Sequence, residues 1–229
     1  MKRFFAFTLA ETLIVMGIIG IVSALTLPNL NSSTGEKEKV AKVKKLYSNL
    51  NDAYGRAVVT YGPFKSWFKN DTDIAAQTTR FGERITEFMK VSKSCGTNAG
   101  CFSNSKFYFY GNSEWNSNYL SFLQGIKAQM YILADGSSIA FFIFNGMTHT
   151  IKVDIDGPNK GKNREGFDNF SFRIDSQGDL VPRNETDMTG NFVQQGDEYS
   201  VTMWVIQNDN LDYLKCAAEL NWQTKTSCK

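Results

Sequence analysis

Residues 4–30 read FFAFTLAETLIVMGIIGIVSALTLPNL, an apolar stretch in which Glu11 is the only charged side chain. The run from Phe7 to Leu30 is 24 residues long, and as a helix it extends roughly 36 Å, against a hydrocarbon core of about 30 Å. Lys2 and Arg3 precede it, so the positive charge is expected to hold the N-terminus in the cytoplasm and leave everything after Leu30 outside. The expectation is a single-pass membrane helix. A plain anchor does not account for Glu11, because a carboxylate in the hydrocarbon costs on the order of 2.5–3.5 kcal/mol and usually marks a function. A cleaved secretory signal is a second reading, with Leu13 to Ile21 as its apolar region and Val22-Ser23-Ala24 as the cleavage site. Glu11 at the head of that region and the apolar continuation Leu25 to Leu30 weigh against it.

The rest of the 229-residue chain differs in character. Overall, 42% of residues are hydrophobic and 21% charged, with a mean hydropathy of −0.30. Those averages exclude a polytopic membrane protein, a disordered charged tail and a collagen-like repeat. Twenty-five basic against 23 acidic residues leave a net charge of +2, too little for a nucleic-acid footprint. The excess is Lys2 and Arg3, so without residues 1–6 the side chains balance. There is one histidine, His149, and no metalloprotease, nucleophile-elbow or phosphate-loop motif, so no enzyme activity is expected.

After Leu30 comes a polar link, Asn31 to Gly35, and then a charged run from Glu36 to Lys45. Through those charges passes an apolar stripe, Val40, Val43, Tyr47, Leu50, Tyr54, Ala57, Val58 and Tyr61, spaced by three and four as on one helix face. The lysines read as its solvated side, and Gly62-Pro63 is a stop signal. Residues 7–62 thus form one long helix, apolar over 7–30, amphipathic over 36–62, and weakened near Pro28 and Gly35. Beyond lies a head, 63–229. Residues 71–91 have helical spacing, and Lys106 to Tyr110 is a short aromatic strand. Ala128 to Phe144 holds two β-rich runs joined at Asp135-Gly136, a hairpin signal. Thr148 to Asp154 and Asp168 to Ile174 add strands, the latter with Phe170, Phe172 and Ile174 on one face. The fold class is α+β, a helical spine against an antiparallel sheet. The aromatic load of the head reads as core material.

The N-terminal pattern resembles that of type IV prepilins and type II secretion pseudopilins: a short basic leader ending in a small residue, Met1 to Ala6, then Phe7-Thr8-Leu9-Ala10-Glu11, then an apolar helix with a proline near its end, Pro28. The resemblance covers about the first 55 residues. It implies cutting of Ala6–Phe7 by a prepilin peptidase, methylation of the new N-terminal Phe7, and assembly with other pilin or pseudopilin subunits on an inner-membrane platform. It also implies a spine embedded in membrane lipid and a head held outside the inner membrane. The family usually has Gly where this chain has Ala6, which is also small. Glu11 then has a role, because cleavage creates a protonated α-amine on Phe7 and pairing it with the acidic residue of a neighbour relieves a carboxylate of its cost in an apolar medium. The expected function is a subunit polymerising into a type II secretion pseudopilus or a type IV pilus. The alternative is an exported or anchored binding protein that does not assemble.

All four cysteines follow the apolar run, as an oxidising compartment would use them. Three pairings are possible. The local ones, Cys95–Cys101 and Cys216–Cys228, are expected because each closes a short loop and because the family's heads often carry a disulfide near the C-terminus. The loop Asp154-Ile155-Asp156-Gly157-Pro158-Asn159, running on to Glu165 and Asp168, begins like a calcium loop, but Pro158 and Asn159 break the EF-hand pattern. Since major pseudopilins bind calcium in a loop of the sheet region, the resemblance implies a Ca2+ site formed by Asp154, Asp156 and Asp168. A turn whose Asp and Asn side chains bond their own backbone is the other reading.

Overall fold

The computed structural model describes residues 9–69, 71–109, 111, 113–115, 118–183 and 200–228, with side chains left out over 23–34. Helix α1 (Leu9–Tyr61) is 53 residues long and runs unbroken through Pro28 and Gly35. It ends where the stop signal lies, with Gly62 at φ +83° ahead of Pro63. The chain divides into two compact units, 1–38 and 39–229.

The expected transmembrane helix over 7–30 is not upheld. Among the described residues no helix is long and apolar enough to cross a membrane. Helix α1 carries the apolar run straight on into the charged stretch Glu36 to Lys45. It also carries Glu11 in its first turn. The spine of the expected fold class is therefore a long helix without a membrane span, and the single-pass inner-membrane localisation falls with it.

In the second unit, Val40, Val43, Leu46, Leu50, Ala53, Tyr54 and Ala57 of α1 are buried in one core. The stripe is wider than the sequence suggests, since Leu46 and Ala53 also lie on the buried side. A single-turn helix, Phe64–Ser66, leads to α2 (Ile74–Thr86), whose N-cap Asp73 accepts a 2.9 Å hydrogen bond from the Ala75 N–H. Such a cap satisfies one of the four orphan donors of a helix start. Gly82 lets α2 approach the sheet closely, because a Cβ there would lie 3.1 Å from Tyr131 Oη.

Six strands follow, β1 (Val91–Gly96), β2 (Gln129–Leu133), β3 (Ser138–Phe144), β4 (Thr148–Asp154), β5 (Asn169–Ile174) and β6 (Leu180–Pro182). They form an antiparallel meander in sequence order. The β2–β3 turn is the expected hairpin. Gly136 takes φ +88°, the Leu133 N–H donates to Ser137 O at 2.8 Å, and Asp135 Oδ1 accepts from the Ser137 N–H at 3.1 Å. Helices α3 (Tyr119–Gly125), α4 (Val201–Asn208) and α5 (Tyr213–Cys216) complete the head.

Alternation along the strands gives the sheet two buried faces. The inner face presents Tyr131, Leu133, Ile139, Phe141, Ile151, Val153, Phe170, Phe172 and Ile174 to the core shared with α1 and α2. The outer face presents Met130, Ala140 and Phe142 to a second core with α3. The expected strand 106–110 is absent as such. Tyr108 makes isolated bridges to Glu114 and Arg164, because its N–H and C=O bond the loop atoms Asn163 O and Glu165 N; Tyr110 lies outside the described residues. Helix α2 stops at Thr86 rather than near Val91, since Val91 starts the pairing with β2.

Both local disulfides are formed, Cys95–Cys101 and Cys216–Cys228. The second holds the C-terminal loop to α5, where the Cys228 N–H also donates to Asp212 Oδ2 at 2.8 Å. Replacing Cys216 and Cys228 together by serine is expected to lower the unfolding free energy by about 2–3 kcal/mol, measured by urea denaturation.

Candidate functional site

Ala6 and Phe7 lie outside the described residues, so the processing point has no geometry here. Glu11, the expected assembly residue, is exposed in the first turn of α1. A carboxylate there interacts favourably with the helix dipole. Beside it nine apolar side chains, Leu9, Leu13, Ile14, Val15, Met16, Ile18, Ile19, Ile21 and Val22, are between 52% and 81% exposed. At 100° per residue they point to every side of the helix, so this segment has no polar face to give to solvent. Each such side chain gains about 1.5–3 kcal/mol when fully buried.

The acidic loop does bring its aspartates together. A Cβ on Gly161 would lie 2.4 Å from Asp168 Oδ2 and 3.3 Å from Asp156 Oδ2. Each of the three already has an oxygen engaged, however. Asp154 Oδ1 accepts from the N–H groups of Asp156 and Gly157, both at 3.1 Å. Asp168 accepts from the backbone N–H of Lys162, of Asn163 at 2.9 Å and of Arg164 at 2.6 Å. Asp156 pairs with Lys39, and Lys42 stands 3.6 Å from its other oxygen. Glu165, at the twelfth place of the loop, turns away to pair with Lys152. Among the described residues no group of three or more His, Cys, Asp or Glu side chains is placed to hold a metal ion. The geometry is that of a self-bonded turn, and it carries no step through calcium.

Two buried titratable groups differ in sign. Burial, reinforced by the nearby Asp168, pushes the Asp154 carboxyl up from 3.8 to about 7. His149 sits among aromatic rings, edge-on to Phe64 at 4.8 Å and stacked on Phe68 at 4.9 Å. Its Nε2 is buried without a hydrogen-bond partner among the described residues, and burial lowers its pKa from 6.5 to about 4. A neutral imidazole packed against Phe64, Phe68 and Phe81 is a structural arrangement.

The sequence did not point to a third feature, a cavity of about 70 Å³ on the outer face of the sheet between α3, β3 and β4. Half-buried rings of Phe109, Trp115, Phe122 and Phe144 form its mouth, and the buried Phe107 and Tyr119 lie deeper. These two stack at 4.2 Å, with the Lys152 ammonium 5.1 Å and 5.7 Å from their ring centres. Lys152 and Glu165 form an ion pair with side chains 4% and 5% exposed. Ser171 Oγ lies 3.3 Å from both Lys152 Nζ and Glu165 Oε1. The only local signal was Lys152 in the apolar strand IKVDI, whose alternation puts it opposite Ile151 and Val153.

Comparisons with known proteins find no family model, no curated protein and no solved structure that matches this chain.

The two titrations act on stability in opposite directions. Between about pH 4 and pH 7 the folded state holds the Asp154 proton and the unfolded chain does not, so this group's contribution falls as pH rises. Between about pH 4 and pH 6.5 the unfolded chain holds the His149 proton and the fold does not, so that contribution rises with pH. Asp154→Asn keeps an Oδ1 acceptor, and its stability relative to the parent is expected to increase with pH. His149→Phe is expected to gain on the parent as pH falls, on the order of 2 kcal/mol near pH 4. Urea denaturation of both variants and the parent at about pH 4.5 and about pH 7.5 checks the signs.

Proposed function

We propose that the chain is a subunit of a pilin-type fibre, of a type II secretion pseudopilus or a type IV pilus, processed between Ala6 and Phe7 and joined to other copies through the start of α1. The observation that carries this reading is the exposure of apolar side chains on every side of Leu9–Val22. A segment with no polar face is stable only when surrounded, and identical segments packed side by side surround one another. The later stretch of α1 is buried in the head through Val40, Val43, Leu46 and Leu50. Prepilin peptidase is the processing partner that the Phe7 to Glu11 block implies.

Glu11 sets the register in this scheme. Once Ala6–Phe7 is cut, the α-amine of Phe7 is largely protonated near neutral pH. In the apolar interior of a fibre an ion without a partner is strongly destabilising, so the Phe7 amine of an incoming copy fits where it meets the Glu11 of a neighbour. The two disulfides accord with folding in an oxidising compartment. No catalytic step is assigned to the head.

N-terminal sequencing is expected to find a mature chain that begins at methylated Phe7. Glu11→Ala is expected to be processed as the parent is, yet to enter fibres about tenfold less, a loss of about 1.4 kcal/mol. The quantity measured is the fraction of mature subunit recovered in sheared fibres, and parental incorporation of Glu11→Ala would remove the register role.

A further inference from the structure

We infer that the open cleft at the end of the sheet where β4 begins and β5 finishes binds a small organic carboxylate, its acid group at Arg173 and its apolar body against an aromatic wall. The inference does not rest on the fibre reading. The cleft holds about 700 Å³, within the range of small-molecule sites, and its residues all belong to the second unit. Its sides differ in character. Phe64, Phe68 and His149 line it with rings that pack on one another. The half-buried Phe68 and Met147, 81% exposed in the β3–β4 turn, add apolar surface open to a ligand. Alternation puts Arg173 on the opposite side of β5 from Phe172 and Ile174, so the cleft turns round the end of the sheet.

Arg173 is the group that asks for a ligand. Among the described residues its guanidinium makes no ion pair or hydrogen bond, although its Nε is buried. That N–H is always a donor, and folded proteins satisfy nearly all of their buried donors because an orphan is costly. The planar fork of an arginine matches the two oxygens of a carboxylate. The exposed Lys65 on the same cleft also has no acidic partner among the described residues.

Charge decides the class of ligand. The titratable groups that line the cleft are Lys65, His149, Arg173 and Asp175. Burial lowers the His149 pKa to about 4, so near neutral pH it adds no charge. Asp175 turns Oδ1 into its own loop, where it accepts from the N–H groups of Gln177 at 2.9 Å, Gly178 at 3.0 Å and Asp179 at 2.9 Å. Two cations against one carboxylate leave an excess of one positive charge. A monoanion balances it, a cation adds to it, and a phosphate monoester with nearly two charges overfills it. The rings and Met147 call for an apolar group on that monoanion.

The test is saturation-transfer NMR on the full-length chain in a nonionic detergent, near neutral pH and at low salt. Phenylacetate is the probe, with phenylacetamide as its neutral counterpart, phenethylamine as a cation and phenyl phosphate as a dianion. Transfer to phenylacetate is expected at millimolar concentration, with each of the other three bound at least about tenfold more weakly. Arg173→Met is expected to weaken phenylacetate about tenfold, and Lys65→Glu, at an exposed position, about threefold. No transfer to phenylacetate, equal or stronger binding of any of the other three probes, or transfer that both variants leave unchanged would overturn the assignment. If Arg173→Met unfolds by near-ultraviolet circular dichroism, Lys65→Glu alone decides.

Discussion

The head is organised by the burial of one stripe of α1 against the inner face of the sheet. Tyr47 lies flat on Phe172, ring centres 5.3 Å apart and planes 7° from parallel. One turn and two turns on, Leu50 and Tyr54 continue the same side, and the Tyr54 hydroxyl donates to Gly178 O in the β5–β6 turn. The contact spans three levels of structure. A spacing of three and four selects a helix, the helix presents a stripe, and here the apolar surface that covers it comes from period-two strands. Phe170, Phe172 and Ile174 provide it from β5, with Ile151 and Val153 beside them on β4. Leu50, Phe141, Phe170 and Phe172 are fully buried, and truncating a side chain of this kind typically costs 2–5 kcal/mol.

Ionic contacts refine this packing without driving it. Lys39 pairs with Asp156 and stands 4.5 Å over the ring of Phe167, so the acidic loop is drawn onto the second unit's stretch of α1. The pair is largely shielded from water, with side chains 15% and 16% exposed, and so counts for more than the fully solvated pairs of the surface. The lysine-rich side of the helix is thus not uniformly solvated. One of its lysines docks a loop whose other carboxylates are satisfied from within.

What could be read from the sequence was whatever a local pattern decides. The end of α1 at Gly62-Pro63, the turn at Asp135-Gly136, the span of β4 and the shared face of Phe170, Phe172 and Ile174 all follow from short-range sterics and period-two alternation. Strand β1 did not show, because Val-Ser-Lys-Ser-Cys-Gly has neither alternation nor β-branched density, and its pairing with β2 is broken by two register shifts. Helix α3 was hidden because its aromatic residues face a core that Phe107 supplies from before it and Phe142 and Phe144 from after it in the chain. The membrane span followed from the apolar run alone, and among the described residues no helix is long and apolar enough to cross a membrane. The cavity could not be found from sequence at all, since Trp115, Phe144, Lys152 and Glu165 meet only through the topology of the meander.

That topology divides the labour of the sheet. Odd positions of β3 and even positions of β5 are committed to α1 and α2, so any polar substitution among them would leave an unpaired group in the main core, at a cost of about 1–3 kcal/mol or more. The outer face answers to a smaller partner, α3 and the segment around Phe107, and there the chain tolerates Thr150, Lys152 and Ser171 as buried residues. A charge on the inner face would have to be matched across a helix with no charged residue on its buried stripe. On the outer face it is matched by Glu165, which a loop can bring to it. The second unit therefore holds the packing of its own stretch of α1 and its chemically diverse surface on opposite sides of one sheet.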